Sequence, residues 1–145
     1  MSTVKGAARL RVVLDTNVYF SAFTHPTGVA FWIWEQAVRR RYVLLTSPTI
    51  IREVARVFRR KAGWRDNQIV GSLKLLVKTA EIVSPKIQVR AIPEDDDDNR
   101  ILECAVEGKA DLIVSRDQHL RRLKAFEGIG IVHPVDFRRT LADWV

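Results

Sequence analysis

The sequence is poor in the residues that crosslink a protein or anchor it in a membrane. Cys104 is the only cysteine among 145 residues, so no intramolecular disulfide can form and a reducing compartment fits. The longest apolar stretch, from Gly28 to Trp34, is far too short to cross a membrane. Residues 1–8 carry a lysine but no apolar segment after it, so we expect neither export nor insertion. These shortages predict a cytoplasmic protein.

Acidic residues are also in short supply. Asp and Glu number 17 against 24 Lys and Arg, which gives a net charge of +7 and a pI near 10.1. A charge this large on a small domain attracts polyanions, although solubility alone could explain it. Nucleic acid is therefore an expected class of partner, and any chemistry must come from the arrangement of the few acids.

Apolar runs and helical stripes alternate along most of the chain. Short apolar runs predict strands at 11–14, 42–46, 111–115 and 130–132, with 82–90 also extended. Apolar residues at helical spacing predict helices at about 29–40, 48–62, 66–80, 98–107, 118–124 and 135–144. Ser47 and Asp66 are expected N-caps, and Gly108 is placed to end a helix.

This alternation predicts an α/β fold. Strands that alternate with helices form a mostly parallel sheet, because right-handed crossovers return the chain to the same edge. We therefore expect a three-layer α/β/α sandwich around a mostly parallel central sheet. The length fits one domain over residues 1–145, with 1–8 as a loose tail.

Four carboxylates stand where the predicted elements begin or end. Asp15 ends the first strand, and Asp117 follows a later one. Asp98 opens a helix, and Glu53 lies beside the apolar stripe of another. Because the carboxyl ends of parallel strands share one edge of the sheet, these acids are expected to converge there. Each could serve only as a cap or a solvated charge, but converging acids repel unless a cation such as Mg²⁺ or Mn²⁺ binds.

Four motifs carry these acids in a fixed order. They are VVLDTN at 12–17, SPTIIREV at 47–54, DDNRILECA at 97–105 and ADLIVSRD at 110–117. In this order they resemble the PIN-domain family, and specifically its toxin branch of VapC-like ribonucleases. The resemblance extends from about Arg9 to Phe137. It implies a PIN-like fold and a ribonuclease that depends on Mg²⁺ or Mn²⁺.

The resemblance also implies which residues form the site. The expected catalytic and metal-binding residues are Asp15, Glu53, Asp98 and Asp117. Asp98 is preferred over Asp97 because it lies seven positions before Ala105, the usual offset in the family. The residues expected to support the site are Thr16, Asn17, Ser115 and Asp95.

Two positions depart from the family pattern. Arg116 stands where relatives often have glycine, and His119 stands where a further acid is common. A cation beside Asp117 could compete with the metal or hold a phosphate, and the sequence leaves both open.

Basic residues are expected to bind the RNA backbone. The residues chosen for this role are Arg116, Arg121, Arg56 and Arg60. The same charges could be a solvated helix face or could bind another protein. The resemblance implies a small antitoxin partner and a homodimer.

Two rival readings stand beside the nuclease. A non-catalytic RNA- or protein-binding module with a degenerate metal site would also suit the basic surface and Arg116. An aspartyl-phosphate phosphatase usually has a second Asp two residues after the first, where this chain has Asn17. Nucleophilic or zinc catalysis is disfavoured, because Cys104 lies on an apolar stripe and none of the histidines has partner spacing.

Overall fold

A six-stranded, mostly parallel sheet organises the chain in this computed structural model, which describes residues 8–93 and 95–144. The strands are β1 Arg11–Leu14, β2 Val43–Thr46, β3 Glu81–Ile82, β4 Leu112–Val114, β5 Ala125–Phe126 and β6 Ile129–Val132. Their order in the sheet is β3-β2-β1-β4-β6-β5, and among these strands only the pairing of β5 with β6 is antiparallel. Of the predicted loose tail, all but Ala8 lies outside the described residues.

Seven helices connect the strands within the described residues. They are α1 Thr16–Thr24, α2 Val29–Val38, α3 Pro48–Ala62, α4 Asp66–Thr79, α5 Asp96–Glu107, α6 Gln118–Arg121 and α7 Pro134–Trp144. Helix α5 packs on β1, β2 and β4, whereas α7 packs on α2. The predicted α/β sandwich is therefore confirmed. No helix of the described residues has both the length and the apolar character that a membrane crossing requires.

The central strands are buried on both faces, as their β-branched sequences require. Val12, Val13 and Val114 have no exposed surface, which is usual where helices cover both faces of a parallel sheet. Cys104 is buried in the same core, as predicted. Because both faces of the central strands are covered, a functional site is expected at the edge of the sheet where these strands end.

Local signals fixed most helix boundaries. Ser47 caps α3, because its Oγ accepts a hydrogen bond of 3.2 Å from the Ile50 backbone N–H. Gly63 ends that helix with φ 63°, a left-handed conformation that favours glycine. The predicted cap at Asp66 was wrong, since Arg65 is the N-cap and Asp66 is the first helical residue.

Two elements were not predicted. Helix α1 carries apolar residues on most of its faces, so it has no clean stripe, and strand β5 has only two residues. The segment 82–90 pairs as a strand only at Ile82. The Val83 backbone N–H still bonds to the Thr46 carbonyl at 2.7 Å, but the N–H groups of Lys86 and Val89 bond to α5 side chains, to Glu107 at 3.0 Å and to Glu103 at 2.9 Å. Tertiary contacts therefore replaced the expected strand.

Aromatic stacking holds α3 in place. Phe58 is buried and stacks on Trp64 at 4.4 Å between ring centroids, and on Phe23 at 5.7 Å. Phe23 belongs to α1, so this stack fixes α3 against the helix that follows β1. Glu53 lies on the same helix, and its position therefore depends on the stack.

Replacing Phe58 by alanine should destabilise the fold by about 3 to 5 kcal/mol, because it removes the centre of the stack and leaves a cavity. Urea denaturation followed by tryptophan fluorescence would measure this. The control is Val70→Ala on the exposed face of α4, which should change the unfolding free energy by less than about 0.5 kcal/mol. Equal effects of the two substitutions would contradict this account of the core.

Candidate metal centre

Parallel pairing of β1 and β4 brings two predicted acids to one edge of the sheet. Leu14 lies opposite Val114, so Asp15 and Asp117 both follow the ends of neighbouring strands. The Asp15 backbone N–H continues the ladder with a 2.9 Å hydrogen bond to the Val114 carbonyl. Strand register alone therefore places these two acids near each other.

Asp15 is buried and held by three hydrogen bonds. Only 6% of the surface of this residue is exposed to solvent. Ser115 Oγ donates to Oδ2 at 2.6 Å, Asn17 Nδ2 donates to the same oxygen at 3.3 Å, and the Thr16 backbone N–H donates to Oδ1 at 2.7 Å. Burial raises the pKa of Asp15 to about 6, although the bond from Ser115 opposes the rise. Three of the four predicted supporting residues, Thr16, Asn17 and Ser115, thus contact this carboxylate.

Asp98 comes to the same place from the first turn of α5. The residue is 4% exposed, and its Oδ2 has no hydrogen-bond partner among the described residues. Burial raises the pKa of Asp98 to about 8, and repulsion from Asp15 and Asp117 adds to the effect. A buried carboxylate oxygen without a donor is costly unless something else binds it.

Asp98 also belongs to a tight group of possible ligand atoms. One ligand atom from each of Asp95, Asp98, Asp117 and His119 lies within 4.8 Å of each of the others. Asp95 caps α5, with its Oδ1 accepting from the Asp98 backbone N–H at 3.3 Å. Asp117 caps α6 in the same way, accepting from the His119 backbone N–H at 2.7 Å.

The sequence prediction does not count two members of this group as metal ligands. Asp95 was given only a supporting role, and His119 was judged to have no partner. Available signals were the spacings Asp95-x-x-Asp98 and Asp117-x-His119, each at the start of a helix. The spacings could not show that the two helix starts face each other.

Glu53 reaches the same cleft but is engaged in an ion pair. Arg56 Nε donates to Glu53 Oε1 at 2.8 Å, and Arg56 Nη2 donates to Asp97 Oδ2 at 3.0 Å. Burial raises the pKa of Glu53, and the bond from Arg56 opposes the rise. Arg56, expected to bind RNA, is thus held between two acids. Asp97 points to this arginine, whereas Asp98 belongs to the buried group.

The acids line one cleft of about 230 Å³. Its lining residues are Asp15, Thr16, Asn17, Phe20, Glu53, Val57, Lys61, Asp95, Asp97, Asp98 and Asp117. All four predicted catalytic acids are therefore brought together. Several carboxylates, one with an unpartnered oxygen and three with raised pKa values, are the oxygen donors that a hard divalent cation prefers. The residues present fit such a cation.

Two of the predicted RNA-binding arginines lie beside this cleft. The Arg116 backbone N–H donates to Asn17 Oδ1 at 3.4 Å, and Arg121 Nη2 donates to the Arg116 carbonyl at 3.5 Å. Next to them is a groove of about 390 Å³, lined by Gln118, His119, Arg121 and Arg122. His119 belongs to both the acidic group and the groove. Arg60 is exposed on α3 and does not line the cleft.

Comparison with known proteins identifies the family. The family model of the PIN domain matches residues 11–119. The chain belongs to the PIN-domain family. All the acids described above fall within the matched residues.

One protein similar in sequence and two similar solved structures extend the comparison. An uncharacterized protein of Methanocaldococcus jannaschii, MJ1680, is 30% identical over 122 residues, which cover 80% of this chain and 76% of that protein. VapBC2 from Rickettsia felis, solved bound to a DNA fragment from its promoter, is 15% identical with a TM-score of 0.63, covering 86% of this chain and 98% of that one. PAE2754 from Pyrobaculum aerophilum is also 15% identical with a TM-score of 0.61, covering 93% and 90%. The two solved structures show that the fold is shared.

The stability of the metal-free PIN domain should fall as pH rises from about 5 to about 9. Asp98 has a native pKa of about 8 against an ordinary value of 3.8. The folded state therefore keeps a proton that the unfolded state releases, and raising the pH withdraws this advantage. Asp98→Asn should remove much of the pH dependence and raise the unfolding free energy at alkaline pH by about 1 to 2 kcal/mol.

Urea denaturation in EDTA at acidic and alkaline pH would test this prediction. Asp96→Asn is the matched control, because Asp96 lies in the same helical turn, is exposed and does not line the cleft. The control should keep the wild-type pH profile. An Asp98→Asn variant with that same profile would contradict the account of this carboxyl group.

Proposed function

We propose that the protein is a Mg²⁺- or Mn²⁺-dependent endoribonuclease and the toxin component of a type II toxin-antitoxin pair. The observation that carries the proposal is the unpartnered Oδ2 of Asp98, buried beside Asp15 and Asp117 at the base of a cleft. PIN domains are generally nucleases, which supports hydrolysis of a nucleic acid. The sequence motifs resemble the VapC-like branch, which supports RNA as the substrate.

The proposed roles follow from the contacts. Asp15, Asp95, Asp98 and Asp117 would hold the cation, with Glu53 adding negative charge at its border. When bound, such an ion activates water and neutralises charge on the scissile phosphate. Ser115 and Asn17 keep the Asp15 carboxylate oriented by donating to Oδ2. Lys61 and Arg116 lie close enough to the cleft to hold the phosphates of the substrate.

The basic groove beside the cleft supports RNA as a partner. Arg121 and Arg122 line it, and His119 connects it to the acidic group. The net charge of +7 favours encounter with any polyanion. A strand of RNA lying in the groove would place one phosphate over the acids while arginines hold its neighbours.

The assembly is also a proposal. A small antitoxin with an acidic segment would cover the basic groove, and two copies of the chain would form a homodimer in the cytoplasm. The fold shared with VapBC2 of Rickettsia felis is compatible with this arrangement. The chain would act as a single PIN domain over residues 1–145.

A second candidate function is a binding module whose metal site has degenerated. Arg56 favours it, because this arginine already neutralises Glu53 and Asp97 without a metal. Yet it does not reach the buried Asp98 oxygen, which stays unpartnered. We therefore rank nuclease activity first.

Asp98→Asn should reduce metal-dependent cleavage of RNA by at least about a hundredfold, because it removes a charged oxygen at the centre of the site. Asp15→Asn should have a similar effect. Initial rates on a fluorescently labelled, structurally varied RNA pool with MnCl₂ or MgCl₂ would measure this.

The matched control is again Asp96→Asn, which should cleave at nearly the wild-type rate. Two results would favour the binding module. One is an absence of metal-stimulated cleavage in the wild-type protein, and the other is equal cleavage by Asp98→Asn and Asp96→Asn.

Arg121→Gln should weaken RNA binding and lower the slope of log affinity against log salt by about one, as expected for one lost phosphate contact. Fluorescence anisotropy in the cleavage-impaired Asp98→Asn background would measure both quantities. Arg139→Gln is the control, because Arg139 lies on α7 and pairs with Asp136 instead. If both substitutions had the same small effect, the groove would not be the RNA path.

A further inference from the structure

His119 occupies a place where a metal ligand is expected. A ring nitrogen of His119 lies within 4.8 Å of one oxygen from each of Asp95, Asp98 and Asp117. Ligands about 2.1 Å from one ion can be at most about 4.2 Å apart. Neighbouring ligands of one ion lie about 3 Å apart, so the four atoms would bind the same ion after moving together by up to about 1 Å. The buried, unpartnered Asp98 oxygen is a second observation that points to a ligand at this place.

The hydrogen bonds around His119 leave its ring available. Asp117 Oδ1 accepts a hydrogen bond from the His119 backbone N–H at 2.7 Å, which fixes the backbone of His119 at the start of α6. The ring Nδ1 is 3.7 Å from the same oxygen, too far for a hydrogen bond. The carboxylate thus positions the histidine through its backbone without engaging the ring. A rotation of the exposed side chain would point a nitrogen at the group of acids.

We propose that His119 is a nitrogen ligand of the metal centre and shifts its preference away from Mg²⁺ toward Mn²⁺ and later transition-metal ions. Mg²⁺ prefers oxygen ligands alone, whereas imidazole suits the transition metals. The imidazole of His119 and the three carboxylates grouped with it form a mixed set of nitrogen and oxygen ligands. Mn²⁺ accepts such a set, whereas the nitrogen adds little to the affinity for Mg²⁺. This inference rests on the proposed metal site but not on RNA cleavage. The simpler alternative is that His119 only pairs with Asp117.

The test is electron spin echo spectroscopy of Mn²⁺ bound to the whole chain, combined with calorimetric titration of MnCl₂ and MgCl₂. Wild-type protein should show ¹⁴N modulation from one imidazole, and His119→Asp and His119→Ala should lose it. The ratio of Mg²⁺ to Mn²⁺ dissociation constants should fall at least about tenfold in His119→Asp, which replaces the nitrogen by oxygen.

The matched control is His25→Ala. His25 is also exposed, but it lies in the turn after α1 and does not line the cleft. This variant should keep both the modulation and the metal preference. Because His119 is exposed, His119→Ala should retain the wild-type melting temperature in EDTA.

The outcomes separate this inference from the proposed function. Tight Mn²⁺ binding without nitrogen modulation, or modulation that survives in His119→Ala, would overturn the role of His119 and leave the acidic metal site standing. Failure of the wild-type chain to bind either metal at millimolar concentration would overturn both. Loss of modulation in the His119 variants alone would support the inference.

Discussion

The burial of neighbouring carboxylates, which loss of hydration penalises most and mutual repulsion penalises further, is the constraint on which the rest of this structure depends. Parallel pairing of β1 with β4 delivers Asp15 and Asp117 to one edge of the sheet, and the first turn of α5 adds Asp98. No described donor reaches the Oδ2 of Asp98. The fold therefore holds close together carboxylates that would separate in an unfolded chain, which lowers the folding stability. A cation that bound between them would remove this destabilisation, and the free energy gained would appear as binding affinity.

Some of these carboxylates have hydrogen-bond or ion-pair partners among the described residues, whereas the Oδ2 of Asp98 has none there. Ser115 and Asn17 donate to Asp15, so that carboxylate is partly compensated by the fold itself. Arg56 compensates Glu53 and Asp97 at the border of the cleft. Only the centre of the group lacks compensation within the described residues. A cation that bound here would therefore be expected at one well-defined place instead of on a diffuse acidic surface.

Sequence patterns predicted the parts of the site that depend on strand and helix ends. Asp15, Asp98 and Asp117 follow from periodicity, because an acid at the end of a parallel strand or the start of a helix has a defined place. The pairing of Arg56 with Glu53 and Asp97 depends on how α3 approaches α5, which no local pattern encodes. The role proposed for His119 likewise depends on how two helix starts approach each other, which no local pattern encodes. Likewise α1 lacked a clean apolar stripe, so only its packing against α2 and α3 reveals it.

A crystal structure of the protein grown with MnCl₂, with an anomalous difference map at the manganese edge, tests the central claim most directly. The account predicts a strong peak within about 2.1 to 2.4 Å of oxygens from Asp98 and Asp117, beside Asp15. A map with no peak in the cleft at saturating manganese, and with Asp98 Oδ2 satisfied by a protein donor, would contradict it.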